Sequence, residues 1–588
     1  MPFCRLRTEK PFKEEFMNTK NMKKAIALAT CCTTLFSIAA CGVSEGGGKS
    51  GMISTKPLTV AELGEGFNAK YLPDASSIRQ FSGKIDVCLD FEGTQDGWRA
   101  LAKEYERLQD GGVKVNINTN FAGTSYTENL RTELTSVSTD WDIVEGNLGL
   151  SNTRSKCVDM KNTINTKNPY CGADTKIWAD VLDDIAYKTK EADTSGQSYI
   201  LNTEVMQTAW FVNDVALQAA VEKGYKNADN EAGYPITWDD LMLLCEKMQD
   251  AGYPHPLGIS LCQASIDSLQ FTWLLRVYGD YYYRQYYQYI VGFDPEYVWD
   301  NYDPTAKVVE TNEGFSYSFA KVLNMLFEED SPFGDGYIGF TSDVYLDFVA
   351  NLAKMNGYFF KDAATTEFSA LRDEFRTQSD GVKSPQIMLD YLGFGINYEN
   401  AEKDGFSVGY FDYPTMESEY VPAETITRDI GGNGGFLSVV NHIGDKDQVE
   451  LNKDFIKFVM SPYGQTIYYK GLAEAGRVPK GLSTVKNDLV VIPATWKTFF
   501  EESEQTIKFN GDVDANPFLS WGVRYVVGKT KTQSVICEYW RNLLLLNTMT
   551  VPAFAAKWDE AVRVDKDTVV KENGWGEKFW QNTSKIDK

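Results

Sequence analysis

Residues 83–118 read GKIDVCLDFEGTQDGWRALAKEYERLQDGGVKVNIN. Ile85, Val87 and Leu89 alternate with polar neighbours, the period of a strand with one buried face. From Trp98 the period changes. Trp98, Leu101, Ala102, Tyr105 and Leu108 recur at helical spacing, and Gly111 with Gly112 stops the run before a second alternating segment, VKVNIN. Strand, helix and strand in succession predict a βαβ unit, and with it an α/β fold.

The next segment, YTENLRTELTSVSTDWDIVEGNLG, repeats the theme: a helix over about 127–137, then a short buried strand over 142–144 that ends at Glu145. In open α/β sheets the loops at the carboxyl ends of strands line the ligand crevice, so EGTQDG and EGN are expected to converge on one edge. Further on, PITWDDLMLLCEKMQDAG places Thr237 as an N-cap with Asp239 and Asp240 in the first turn, suited to the positive end of a helix dipole. Leu241, Leu244, Cys245 and Met248 then share the buried face.

Composition bounds the rest. At 588 residues the chain is long for one core, which predicts more than one lobe or domain. The formal charge is −24, and the first 40 residues contribute +4, so the chain from Cys41 onward carries −28. Such a surface repels nucleic acid, and no nucleic-acid role is expected. There are only two histidines, His255 and His442, and no CxxC spacing among the cysteines. A His-based triad, a zinc site and a thioredoxin-like site are all disfavoured. Cys157 and Cys171 could pair in an exported protein, although buried thiols are the simpler expectation.

The amino-terminal region carries a targeting pattern. Lys23 and Lys24 precede an apolar run, Ala25–Ile38, of 14 residues, short of the roughly 20 that span a bilayer as a helix. Ile38, Ala39, Ala40 and Cys41 resemble a lipobox. Residues 1–40 are therefore expected to be an upstream extension and a lipoprotein signal peptide, with translation beginning at Met22 or Met17. Cys41 is the expected lipidation site, and the Gly- and Ser-rich residues 41–80 the tether. Gly48–Ser50 mimics the end of a phosphate-binding loop, but Val43 stands where its first glycine should be.

In their order, four stretches resemble the family 1 extracellular solute-binding proteins of ABC importers, the carbohydrate class. They are TDWDIVEGN; GQSYILNTEVMQTAWFVND; YPITWDDLMLLCEKMQDAGY; and the long segment from GGNGGFLSVVN to EAGRVP. The resemblance implies a two-lobed, type II periplasmic-binding-protein-like α/β fold, with an interlobe cleft that closes about hinge strands. It assigns residues 81–205 and 408–482 to one lobe and 206–407 and 483–588 to the other. The chain exceeds the usual length of the class between Leu274 and about Asp380 and again after Lys480. It implies a binding protein and no enzyme, with no cofactor and no metal, acting as a monomer. Its ligand would be a saccharide, in particular an oligosaccharide, and its other partners the ABC permease subunits and, through the lipid anchor, the outer face of the cell membrane. A glycoside-active secreted enzyme and a surface glycan-binding protein without a transporter are the alternatives.

A sugar site needs aromatic faces for C–H surfaces and planar polar groups for hydroxyls, pre-placed in a crevice. Loops placed by the resemblance offer Glu92, Gln95 and Asp96 after the first strand, Glu145 and Asn147 after DIV, and Trp210 at the lobe crossing. Asp267 is expected on the second lobe, Tyr391 as an aromatic platform after QIML, Asn433 in the glycine-rich turn and Trp521 as a weaker platform. The tyrosine run from Tyr281 to Tyr289 points in several directions on a helix, so most of its rings are expected to be packed. DVDANP, residues 512–517, begins like a calcium loop, but Pro517 replaces the required glycine.

Overall fold

The computed structural model describes residues 55–572, other than 90–91, 120–125, 136–138, 147–155, 188–196, 291–302, 304, 306–318, 332–335, 509, 511–512, 514–515 and 521–529. Two compact units are distinguished, Met1–Met52 and Ile53–Lys588. The first, with Cys41 and the expected signal, lies outside the described residues, all of which belong to the second.

The βαβ unit forms as its periodicity predicts. Strands β1 (Gly83–Cys88) and β2 (Val113–Asn118) pair in parallel from Gly83↔Val113 to Cys88↔Asn118. Helix α1 (Gln95–Leu108) connects them and buries Trp98, Leu101, Ala102, Tyr105 and Leu108. On the other side of β1 lies β3 (Ile143–Glu145), also parallel and buried throughout. The sheet is completed by β4 (Leu201–Asn202) and β11 (Phe436–Val439), in the order β2-β1-β3-β11-β4, with β11 antiparallel to both its neighbours.

A second sheet has the order β7-β8-β6-β9, built from β6 (Thr208–Asn213), β7 (Leu257–Gly258), β8 (Ile387–Tyr391) and β9 (Val408–Phe411). All six residues of β6 are buried, as befits a strand covered on both faces. Because β9 pairs with β6 from Trp210↔Phe411 to Asn213↔Val408, the chain is still in the second sheet at residue 408, the position expected to begin its return to the first lobe.

A third sheet, β10-β5-β12, joins the two. It contains β5 (Glu204–Met206), β10 (Gly432–Asn433) and β12 (Gly481–Ser483), all antiparallel. The chain passes from β4 in the first sheet through β5 into β6 of the second, and returns through β10 into β11. These crossings pack so closely that side chains are excluded. A Cβ on Gly481 would sit 1.8 Å from the Val205 carbonyl oxygen, and one on Gly435 2.3 Å from Thr203 Oγ1.

Helix α2 (Trp238–Asp250) starts at Thr237, whose hydroxyl accepts from the Asp240 N–H while the Asp240 carboxylate accepts from the Thr237 N–H. Helix α3 (Gln270–Tyr283) leads into the tyrosine run. Tyr282 and Tyr283 are fully buried and donate to Asp347 (2.6 Å) and the Ile338 carbonyl (2.9 Å), while Tyr286 and Tyr289 are partly buried. Cys157 and Cys171 are buried free thiols, not a disulfide. Within the stretches expected to be extra, the described helices Thr530–Leu544 and Val551–Glu572 pack on each other, and the latter also on Asp343–Ala353.

Candidate functional site

Glu145 ends β3 at the carboxyl edge of the first sheet, is 7% exposed, and faces a small cavity with Thr94, Thr203, Glu204 and Tyr468. Its Oε1 lies 3.7 Å from where a Gly435 Cβ would be, so the returning strand passes within van der Waals range of the carboxylate. Glu204, in β5, is buried and accepts from the Gly481 N–H at 2.7 Å. Burial pushes its carboxyl above the usual range, against the opposing charge of Lys480. Burial also pushes the Tyr468 hydroxyl well up, and the charges of Glu204 and Glu145 add to it. Tyr468 comes from helix α5 (Pro462–Glu474), which packs on α1. Gly97 makes the fit possible, since a Cβ there would lie 2.5 Å from the Tyr468 ring.

The other loop candidates on this edge sit around α1. Gln95 and Asp96 form its first turn and are half-buried. Asp96 pairs with Arg99 (3.3 Å) and with Arg477 (3.4 Å), so one carboxylate ties α1 to the chain beyond α5. Glu92 opens the short turn Glu92–Thr94 that precedes α1, and only its backbone is described.

On the second sheet, Tyr391 ends β8 with 9% exposure. Its ring packs against Trp273 (4.8 Å between centroids), Phe394 (5.8 Å) and Phe368 (6.1 Å), and Lys480 Nζ lies 5.9 Å from it. The following residues clasp the crossings: the Leu392 N–H donates to the Gln207 carbonyl (2.9 Å) and the Gly393 N–H to the Lys480 carbonyl (3.2 Å). A cavity of about 190 Å³ opens there, lined in part by Gln207, Leu392, Lys480, Gly481 and Glu504. Lys480, the residue before β12, is thus the common neighbour of Glu204 and Tyr391.

Other expected residues are placed elsewhere. Trp210 is fully buried in the middle of β6, its ring against Phe411 (6.2 Å, stacked) and Trp238 (6.5 Å), so both its faces belong to the core. Asp267 lies half-buried on the helix Gln263–Ser268 and accepts from Gln263 at 2.6 Å; it lines neither the Glu145 cavity nor the one at Leu392. Asn433 is described by its backbone alone, which pairs with Val205. Asn147, Trp521 and all but three residues of the DVDANP stretch lie outside the described residues. The sequence reading missed Glu204, Tyr468 and Lys480. Their one signal was position: Glu204 stands inside the crossing segment NTEVMQ, and Lys480 closes the segment that ends in proline.

Among the described residues no group of three or more His, Cys, Asp or Glu is placed to hold a metal, and no helix is long and apolar enough to cross a membrane.

No family model matches the chain, and no curated protein matches it. Solved structures do. The chain is similar to a protein from work on xylan utilization by the thermophilic bacterium Caldanaerobius polysaccharolyticus, at 11% identity over 81% of this chain and 99% of that one, with a TM-score of 0.53. It is similar to a chitin oligosaccharide binding protein at 14% identity, 82% and 98% coverage and a TM-score of 0.51. It is similar to the solute-binding protein RafE, solved with raffinose, at 13% identity, 82% and 100% coverage and a TM-score of 0.50. The chain has the two-lobed α/β fold of these binding proteins, two sheets joined by crossing strands.

Proposed function

We propose that this chain is the extracellular substrate-binding component of an ABC importer, which captures an oligosaccharide between its two lobes and hands it to the permease without altering it. The observation that carries the reading is the third sheet. Its short strands lie where the chain passes between the two large sheets, with Glu204 in β5 beside Glu145 at the end of β3, and Lys480 between Glu204 and Tyr391. Carboxylates accept from sugar hydroxyls, and a ring offers its face to sugar C–H groups. A ligand that touches both lobes favours the closed state by its differential affinity for it, and closure is the signal a permease can read. The neighbours in fold include proteins that bind chitin oligosaccharides and raffinose, which supports the same class of ligand here.

In this reading Glu145, Tyr391 and Asn433, together with Glu92, Gln95, Asp96 and Asn147, line the cleft, and Trp210 acts only as core beneath it. Cys41 carries the lipid anchor that holds the protein at the outer face of the membrane. A Cys41→Ala variant is then found in the medium, and its retention in the membrane fraction would count against the anchor.

Glu145→Gln is expected to weaken saccharide binding by roughly 10- to 100-fold, because a charge-assisted hydrogen bond contributes about 1.5–3 kcal/mol. Titration calorimetry measures it, and unchanged affinity would remove Glu145 from the site. The same titration, with the sugar analysed afterwards, separates a carrier from a glycosidase. Steady release of shorter products contradicts the carrier.

A further inference from the structure

A second well, sharing no residue with the candidate site, lies beside helix α4 (Lys446–Val459). It measures about 400 Å³ and is lined by Arg79, Phe81, Thr166, Lys453, Asp454 and Lys457, with further hydroxyls from Ser77 and Thr163. That volume falls within the range of roughly 300–1,000 Å³ of small-molecule sites.

Two features of the lining point to a ligand. At its floor Asp454 is 9% exposed. Its Oδ2 accepts from the Tyr105 hydroxyl (2.8 Å) and the Tyr170 hydroxyl (2.6 Å), whereas among the described residues its Oδ1 accepts no hydrogen bond. That oxygen is not among the fully buried unpartnered atoms and remains an acceptor open to a ligand in the well.

The second feature is charge. Arg79, Lys167, Lys453 and Lys457 outnumber Glu450 and Asp454 along the lining; Lys453 is paired with Glu450 at 2.9 Å and Lys167 with Asp74 at 3.5 Å, so Lys457 is the principal cation. Lys457 Nζ reaches only neutral acceptors, Thr166 Oγ1 at 3.2 Å and the Lys167 carbonyl at 3.4 Å, with no carboxylate in ion-pair range among the described residues. Partial burial accordingly lowers its ammonium pKa. Arg79 lies over the Phe81 ring at 4.5 Å, and its ion pair with Asp447 is long, 3.9 Å between largely exposed groups, which holds it weakly.

An open acceptor at the floor and a cation held only by neutral acceptors at the wall suit one kind of molecule, with a carboxylate and hydroxyls on one small frame. We propose that this well is a second binding site, separate from the interlobe cleft, for a small polyhydroxylated carboxylate of the sugar-acid class. The carboxylate sits against Lys457, Lys453 and Arg79, and a ligand hydroxyl donates to Asp454 Oδ1. The site stands whether or not the cleft binds an oligosaccharide.

The test is calorimetric titration of the full chain with D-glucuronate, with D-glucose and inorganic phosphate as comparison probes. Glucuronate is expected to bind saturably and more tightly than either, since glucose lacks the charge and phosphate is too small to hold its charge at Lys457 while filling a well of about 400 Å³. Lys457→Met is expected to weaken it at least tenfold. The rim double variant Arg79→Ala/Lys453→Ala, whose changes lie near the surface, is expected to do the same and serves if Lys457→Met fails to fold. Affinity for the cleft's ligand stays unchanged in the rim variant. No saturable glucuronate binding, or binding equal in the wild type and the rim variant, overturns the proposal. Phosphate binding as tight as glucuronate overturns the sugar-acid class.

Discussion

Replacing Arg428 by methionine is expected to destabilise the protein by about 3–5 kcal/mol, the cost of leaving a buried charge without its partner. Arg428 is fully buried and pairs through two nitrogens with Asp280 of α3, one contact being Nε to Oδ2 at 2.8 Å. The same carboxylate is 3.2 Å from Arg284 Nε and accepts from Asn516 Nδ2 at 3.0 Å. Burial alone would push the Asp280 carboxyl up, and the Arg428 and Arg284 charges reverse this and leave it lowered. The cluster joins α3, the segment that returns toward β10, and a residue of the carboxyl-terminal addition. Urea denaturation at pH 7 measures the loss. The triple variant Arg428→Met/Arg284→Met/Asp280→Leu is expected to recover much of it, because apolar replacement of a whole buried ion cluster is often close to neutral. A loss below about 1 kcal/mol for the single variant would mean that Arg284 alone can hold Asp280.

The second large effect is one of pH. Asp429 is buried beside the crossing from β5 to β6. Its carboxylate accepts from the Thr208 hydroxyl (2.7 Å), the Thr208 N–H (3.3 Å) and the Ile430 N–H (2.6 Å), and Tyr413 shares the Thr208 hydroxyl (2.8 Å). Burial raises its pKa from 3.8 to about 7, and the Asp412 charge adds to the rise while the Thr208 and Ile430 bonds oppose it. A raised carboxyl means that the folded protein holds a proton the unfolded chain has already released. The stabilisation is therefore full below about pH 4 and is lost progressively as pH rises toward about 7. A shift of this size corresponds to about 4 kcal/mol. Asp429→Asn, which cannot ionise, is expected to remove this fall and to be relatively more stable at pH 8 than at pH 4, compared with the wild type. Urea midpoints across that range decide it, and parallel profiles for the two proteins would contradict the assignment.

The parts of the fold that could be read from sequence are those where one physical signal dominates. The stripe from Trp98 to Leu108 and the alternation in β1 set the βαβ unit, and Thr237 with Asp240 set the start of α2. Glu145 stands at a strand end, the position that the edge rule for such sheets singles out, and lines the cavity with Glu204 and Tyr468. Trp210 lies in the core because all of β6 is covered, and an aromatic at the lobe crossing looks the same in sequence whether it faces a cleft or lies in a strand covered on both faces. Glu204, Tyr468 and Lys480 were invisible for another reason. They meet only through the third sheet, whose strands are two or three residues long and come from segments more than 200 residues apart, so no local period marks them.

The central claim is that the chain carries a saccharide intact. A thermal-shift screen of the full chain against neutral oligosaccharides, with the ligand recovered and analysed afterwards, tests it most directly. A ligand that binds only the native state at a hundredfold excess over Kd adds about 2.7 kcal/mol of stability. At least one oligosaccharide is predicted to raise Tm in a concentration-dependent way and to be recovered unchanged. If no sugar moves Tm while amino acids, peptides or polyamines do, or if the sugar comes back cleaved, the account is wrong.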